Sequence, residues 1–211
     1  FEDCASSNAF SYNINSKIGK CHSCGRGYPN SAKKFDWAEG TYPPPPPKVD
    51  LRNTKIISGR FDGIRGLDED VAKLYNIQLQ YGEGGVPVRY AFKYPKNVKY
   101  RGHAEKKFWT KERGGITDLF GPEFNAGSSK RIYITEGEFD AASLYQVLGK
   151  SYPVKSLPSG SFSDEFLKKN VEYLNSFEVV VYAGELSDDT GKAAAEKLYS
   201  TMPDKFYYVP M

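Results

Sequence analysis

No stretch of this sequence is long and apolar enough to cross a bilayer; the longest apolar run, EVVVYA at 178–183, is strand-sized. Neither a membrane span nor a secretory leader is expected, and a cytosolic location is. An excess of one charge is also missing. Lys and Arg number 29 against 26 Asp and Glu, a formal net charge of +3, so a polyanionic partner is permitted but any basic signal must be local. There is no GxxxxGK[ST] loop, which excludes P-loop nucleotide hydrolysis from these residues. Cysteine is scarce and confined: all three, Cys4, Cys21 and Cys24, fall within the first 24 residues. An odd number of thiols in a reducing compartment points to metal ligation rather than disulfides.

What is present begins with that cysteine pattern, C-x16-C-x2-C, with Gly25 after the last thiol. Structural zinc takes four tetrahedral ligands, usually as two Cys pairs. The missing partner of Cys4 falls at position 1, where this chain has Phe1, and His22 between the other two is a poorly placed substitute. Three unligated thiols are the competing account. Residues around 9–14 and 17–20 read as a small hairpin. About thirty residues bury too little apolar surface to fold alone, which is the physical use of a metal there. Phe10, Tyr12, Lys17 and Lys20 suit stacking and phosphate contact on a single strand, or are ordinary strand composition.

Periodicity is lost from about 28 to 50, and the five prolines of 43–47 predict a polyproline spacer. The expected organisation is a zinc-ribbon module at 1–30, a linker at 31–53, and a core at 54–211 made of an α+β part (54–128) and a second part (129–211). In the first part, Gly66-Leu67-Asp68 starts a helix through EDVAKLYNI and 86–94 reads as strand. Residues 97–115 then hold six cations, Lys99, Arg101, Lys106, Lys107, Lys111 and Arg113, against Glu105 and Glu112, interleaved with Tyr100, His103, Phe108 and Trp109. Cations among flat rings suit a nucleotide or a nucleic-acid strand; a solvated hairpin is the alternative.

From 129 the chain alternates: strand 131–135, helix 140–148, strand 154–157, helix 163–174, strand 178–183, helix 191–201, strand 206–209. This predicts an α/β fold with a mostly parallel sheet flanked by helices. Within RIYITEGEFDAA (131–142), Glu136-Gly137 is the corner between strand and helix, at the strand end where open α/β sheets bind ligands. Glu136 there can hold Mg²⁺; equally, Glu136 and Glu138 are acids favoured in a first helical turn. Glu185, Asp188 and Asp189 follow the third strand, so acids from two strand ends stand to converge on one crevice, as metal-assisted phosphoryl transfer requires.

ITEGEFDAASLYQVL, SLPSGSFS and FEVVVYAGELSDDTGKAAAEKL together resemble the TOPRIM fold of primases, topoisomerases and some nucleases. With the cysteines ahead of them, they resemble the primase half of the bifunctional primase-helicases of short-tailed bacteriophages. The resemblance implies a DNA primase that makes short RNA primers on single-stranded DNA from ribonucleoside triphosphates, with Mg²⁺ or Mn²⁺ and Zn²⁺. Glu136 matches the family's metal-linked glutamate, with Glu138 and Asp140 in support. The family's Asp-x-Asp-x-x-Gly places its second aspartate on Asp188 and its first on Leu186, a departure that Glu185 or Asp189 would have to make good. Lys106 or Lys107 matches a lysine near the incoming triphosphate. Lys99, Arg101, Trp109 and Gly160 complete the nucleotide and DNA contacts. The resemblance further implies a bacterial host cytoplasm, a longer protein with a helicase domain after this segment, and the replicative polymerase as partner. Two rivals remain: a TOPRIM nuclease, and a non-catalytic single-strand-binding or loading module with a degenerate metal centre.

Overall fold

The computed structural model describes residues 10–13, 18–21, 27–28, 50–125, 127, 129–160, 162–185 and 189–210. They fall into two units, Phe1–Lys48 and Val49–Met211. In the first, β1 (Phe10–Asn13), β2 (Ile18–Cys21) and β3 (Gly27–Tyr28) form an antiparallel sheet in that order, with Phe10 opposite Cys21. The expected hairpin is therefore present. Cys21 ends β2, while Cys4, Cys24, His22 and the proline run lie outside the described residues.

The second unit begins earlier than the expected position 54, because 50–54 is locked into it. The Asp50 carboxylate accepts from the backbone N–H groups of Arg52 and Asn53 at 3.1 and 3.3 Å, and Arg89 donates to the Leu51 carbonyl at 3.2 Å. An Asp that turns the chain onto itself is a structural start and not a linker residue.

Next come β4 (Ser58–Arg60), α1 (Glu69–Leu74), β5 (Ile77–Tyr81), β6 (Pro87–Lys93), β7 (Val98–Gly102) and β8 (Phe108–Thr110), whose strands form one antiparallel sheet in chain order. The helix expected through EDVAKLYNI stops at Leu74. Asn76 takes the left-handed conformation, φ 50°, which ends the helix and releases Ile77, Leu79 and Tyr81 into a strand. Ile77, Leu79, Tyr90 and Phe92 alternate onto the inner face and are buried with Val71, Ala72 and Tyr75 of α1 and its end.

The remainder follows the expected alternation: β9 (Arg131–Thr135), α2 (Glu138–Val147), β10 (Val154–Ser156), α3 (Asp164–Asn175), β11 (Val179–Gly184), α4 (Asp189–Thr201) and β12 (Phe206–Pro210). The four strands are parallel in the order β10-β9-β11-β12. Ile132, Ile134, Val180 and Tyr182 point to α3 and α4, where Phe166, Leu174, Ala194 and Leu198 bury them. Tyr133 points the other way, to α2. The α3 start is set by Ser163, whose side chain accepts from the Phe166 N–H at 3.2 Å. Helix α2 is shared between the sheets: Ala141 and Ala142 are small enough for close packing, and the Phe139 ring meets Tyr90 and Phe92 edge-on at 4.9 and 5.0 Å. Among the described residues no helix is long and apolar enough to cross a membrane.

Candidate active site at the switch point of the parallel sheet

The chain leaves β9 toward β10 on one side and returns to β11 on the other, so the crevice beyond the end of β9 is the topological switch point. Glu136 is the first residue past that end. Its carboxylate lies against the loop after β10 and the first turn of α4. A Cβ on Gly160 would come within 2.9 Å of Glu136 Oε1 and 2.5 Å of Thr190 Cγ2. Glycine at 160 thus makes room for the acid. Thr135 pairs with Ala183 across β9 and β11, which brings Glu185 to the same end of the sheet, and Asp189 opens α4. Glu185 and Asp189 are exposed. Asp188 and Leu186 lie outside the described residues, and among the described residues no three Asp, Glu, His or Cys side chains are gathered tightly enough to hold a metal. Half-buried Glu136 and exposed Glu185 and Asp189, at the same end of the sheet, offer only oxygen donors, the ligand type a hard cation takes.

Glu138, expected as a supporting acid, lies inside the fold. It is 4% exposed and accepts the Tyr94 hydroxyl at 2.7 Å and Lys99 Nζ at 2.8 Å. Lys99 Nζ also donates to the Pro158 carbonyl at 2.6 Å. Burial first, and the Glu138 charge next, hold the Tyr94 hydroxyl well above its ordinary pKa, so it remains a donor. Lys99, expected among the nucleotide and DNA contacts, and Glu138, expected as a supporting acid, therefore pair with each other and tie β7 to α2 and to the loop that carries Gly160. Sequence spacing cannot show this, since the partners lie 39 positions apart. Asp140 is exposed in the first turn of α2, its carboxylate folded back to within 2.6 Å of where a Cβ on Gly137 would lie.

The cations near this end come from two places. The Arg101 guanidinium lies over Phe139 at 5.5 Å and Phe108 at 5.8 Å, and its Nε is buried without a hydrogen-bond partner among the described residues. Arg65, which was not anticipated, lies over the same Phe139 ring at 4.8 Å. Arg65 has φ 47° between Gly63 at 66° and Gly66 at 79°. Gln146 of α2 clamps that loop by donating to the Gly66 carbonyl at 3.1 Å and accepting from the Asp68 N–H at 2.7 Å. The glycine-bracketed GIRG was the only signal available. Lys106 and Lys107 are exposed in the turn between β7 and β8, Lys107 in a surface pair with Glu105 at 2.7 Å, a contact of little energetic weight. Trp109 lies on the opposite face of β8 from Phe108, against Tyr100 at 5.5 Å between centroids.

No family model matches the chain. The DNA helicase/primase of Enterobacteria phage T3 is 35% identical over 75 residues, 35% of this chain and 13% of that protein; the chain thus matches about an eighth of the length of this curated relative. Among solved structures, the primase fragment of the bacteriophage T7 primase-helicase protein superposes with a TM-score of 0.62 at 23% identity, covering 98% of this chain and 86% of that one. A chain of the T7 lagging-strand DNA polymerase complex, with primase domains of two gp4 subunits bound to an RNA/DNA hybrid and dTTP, matches with a TM-score of 0.62 at 25% identity over 72% of this chain and 81% of that one. The fold is that of the T7 primase fragment, an α/β architecture built on a parallel TOPRIM sheet.

Proposed function

We propose, from the premise that this chain has the fold of a phage primase fragment and shares sequence with a phage helicase/primase, that it is the primase part of such a protein and makes short RNA primers on single-stranded DNA. The observation that carries the reading is the position of Glu136: an acid at the switch point of a parallel sheet, given room by Gly160, with Arg101 and Arg65 over the first turn of the adjoining helix.

In the reaction, a ribonucleotide 3′-hydroxyl attacks the α-phosphorus of a second triphosphate. The new O3′–P bond replaces the bond to pyrophosphate, and the hydroxyl proton is lost to solvent. Glu136, with Asp188, Asp189 and Glu185, would hold Mg²⁺ or Mn²⁺, which supplies charge stabilisation to the transferred phosphoryl group. Arg101 and Arg65 meet the negative charge of the triphosphate, with Lys106 at the rim, and Phe108 offers a ring face to bases. The Lys99–Glu138–Tyr94 network holds the Pro158 to Gly160 loop where Glu136 needs it. Cys4, Cys21 and Cys24 would hold Zn²⁺ in the first unit, whose part is template recognition. A helicase domain after this segment and a replicative polymerase are the proposed partners, as in the T7 complex and the helicase/primase relative.

The test is Glu136→Gln, assayed with single-stranded DNA of mixed sequence, labelled ribonucleotides and Mg²⁺ or Mn²⁺. Primer yield falls about a hundredfold or more while DNA binding stays within twofold. Undiminished yield removes Glu136 from the centre. Strand scission by the unaltered chain would favour a nuclease, and binding without either product a loading module.

A further inference from the structure

The antiparallel sheet has a second face, away from α1 and α2, that the site above does not use. Strand register places Gln80, Arg89, Tyr100 and Trp109 on it. The Arg89 guanidinium lies over Tyr100 at 4.2 Å and over Trp109 at 5.9 Å. It donates to the Gln80 amide oxygen at 2.8 Å and the Leu51 carbonyl at 3.2 Å, both neutral acceptors. That bond, with the Asp50 turn, fixes residues 50–54 beside the stacked rings. Gly102 lets Leu51 seat on β7, since a Cβ there would come within 2.7 Å of Leu51 Cδ1.

The result is a groove of about 310 Å³ between Leu51 and Arg52 on one wall and Lys107, Phe108 and Trp109 on the other. Asp50 also borders it, but its carboxylate is committed to the N–H groups of Arg52 and Asn53 and to the Asn53 amide at 2.7 Å. Those donors, the Asn53 amide foremost, are neutral and hold the Asp50 carboxyl below the usual carboxylate range, so it keeps its charge; the cations on the walls are exposed Arg52 and exposed Lys107, the latter in a weak surface pair with Glu105 at 2.7 Å. The size is at the small end of ligand grooves, and a flat indole between two cations fits one nucleotide of a strand better than a peptide helix, which needs a long apolar trough.

Strand β8 is the sheet edge. On its inner side Phe108 lies under Lys99 and Arg101, at 5.0 and 5.8 Å; on its outer side Trp109 opens into the groove. We propose that the groove is a second contact for single-stranded template DNA: one base stacks on Trp109, the flanking phosphates meet Arg52 and Lys107, and the strand rounds the β8 edge between the groove and the Glu136 centre. The proposal rests on the primase reading for the identity of the strand, not for the binding itself.

Fluorescence anisotropy of the whole chain with labelled oligothymidylates, without ribonucleotides, tests it. Trp109→Leu weakens a strand of about fifteen nucleotides by fivefold to a hundredfold, the range expected for one lost base stack, while Trp109→Phe keeps most of the affinity and a trinucleotide is unaffected. Arg52→Gln, at an exposed position that does not endanger folding, lowers the salt dependence of binding by about one counterion. Unchanged long-strand affinity in Trp109→Leu, equal losses for long and short strands, or an unchanged salt slope in Arg52→Gln would each overturn the groove. Binding is read without synthesis, so a chain that binds through Trp109 but makes no primers refutes the Glu136 reading alone.

Discussion

Replacing Lys99 with methionine leaves the Glu138 carboxylate buried with one donor, the Tyr94 hydroxyl, and leaves the Pro158 carbonyl without the ammonium. The pair is well desolvated, with side chains 14% and 5% exposed. Removing one partner of such a pair costs about 3–5 kcal/mol, chiefly because the remaining charge is stranded. A chain of this size shifts its midpoint by about 2–4 °C per kcal/mol, so Lys99→Met is expected to melt roughly 6–20 °C lower. The double variant Lys99→Met/Glu138→Gln removes the stranded charge yet keeps an acceptor for Tyr94, and should recover more than half of the loss. Urea unfolding followed by circular dichroism of the two single variants and the double measures the coupling. Primer synthesis should fall in Lys99→Met even at temperatures where it is folded, because the loop bearing Gly160 loses its anchor. A single-variant cost under about 1 kcal/mol, or strictly additive effects, would refute the claim that this pair ties the two sheets together.

Gly160→Ala places a methyl group against both Glu136 and Thr190; activity should drop at least about tenfold with little change in melting temperature, whereas Gly137→Ala, which meets only the movable tip of Asp140, should be milder, and equal activities would refute the cradle. Lys155 is 4% exposed on β10, with Glu123 at 3.5 Å as an exposed and weak partner. Burial pushes its pKa below the usual lysine value, with Glu123 opposing. Between that lowered value and the ordinary one the unfolded chain binds more protons than the folded chain, so stability rises with pH across this window and the full penalty applies below it. Lys155→Met should therefore melt higher than the parent at pH 7, with a gap that narrows toward pH 10; a constant or widening gap refutes the burial cost. Zinc measured on purified protein should approach one ion per chain and fall after Cys21→Ser, and metal-free protein with unchanged template binding would remove zinc from the first unit.

The alternation after residue 129 was legible because the two central parallel strands, β9 and β11, read as short β-branched and aromatic runs and are separated by helix-length stretches of helical apolar spacing. Strand β9 was placed at its observed bounds, Arg131–Thr135. Strand β5 was not, since Ile77, Leu79 and Tyr81 continue the apolar spacing of α1 and only the left-handed Asn76 separates them. The start of the core at 50 was missed for a similar reason: an Asp-headed turn after five prolines looks like more linker until Arg89 is found holding its carbonyl.

Taken by itself, the chain of residues settled the α/β class, the order of elements from β9 onward and the acid on the corner after β9, because strand and helix periods and a corner glycine are local properties. Tertiary structure alone decided which charges stay available. Lys99 and Glu138 lie far apart in the chain and cancel inside it, Arg65 arrives from a distant loop, and Trp109 turns to the face away from Glu136. Charge pairing and facing depend on which strands become neighbours, and that follows from how the whole core packs.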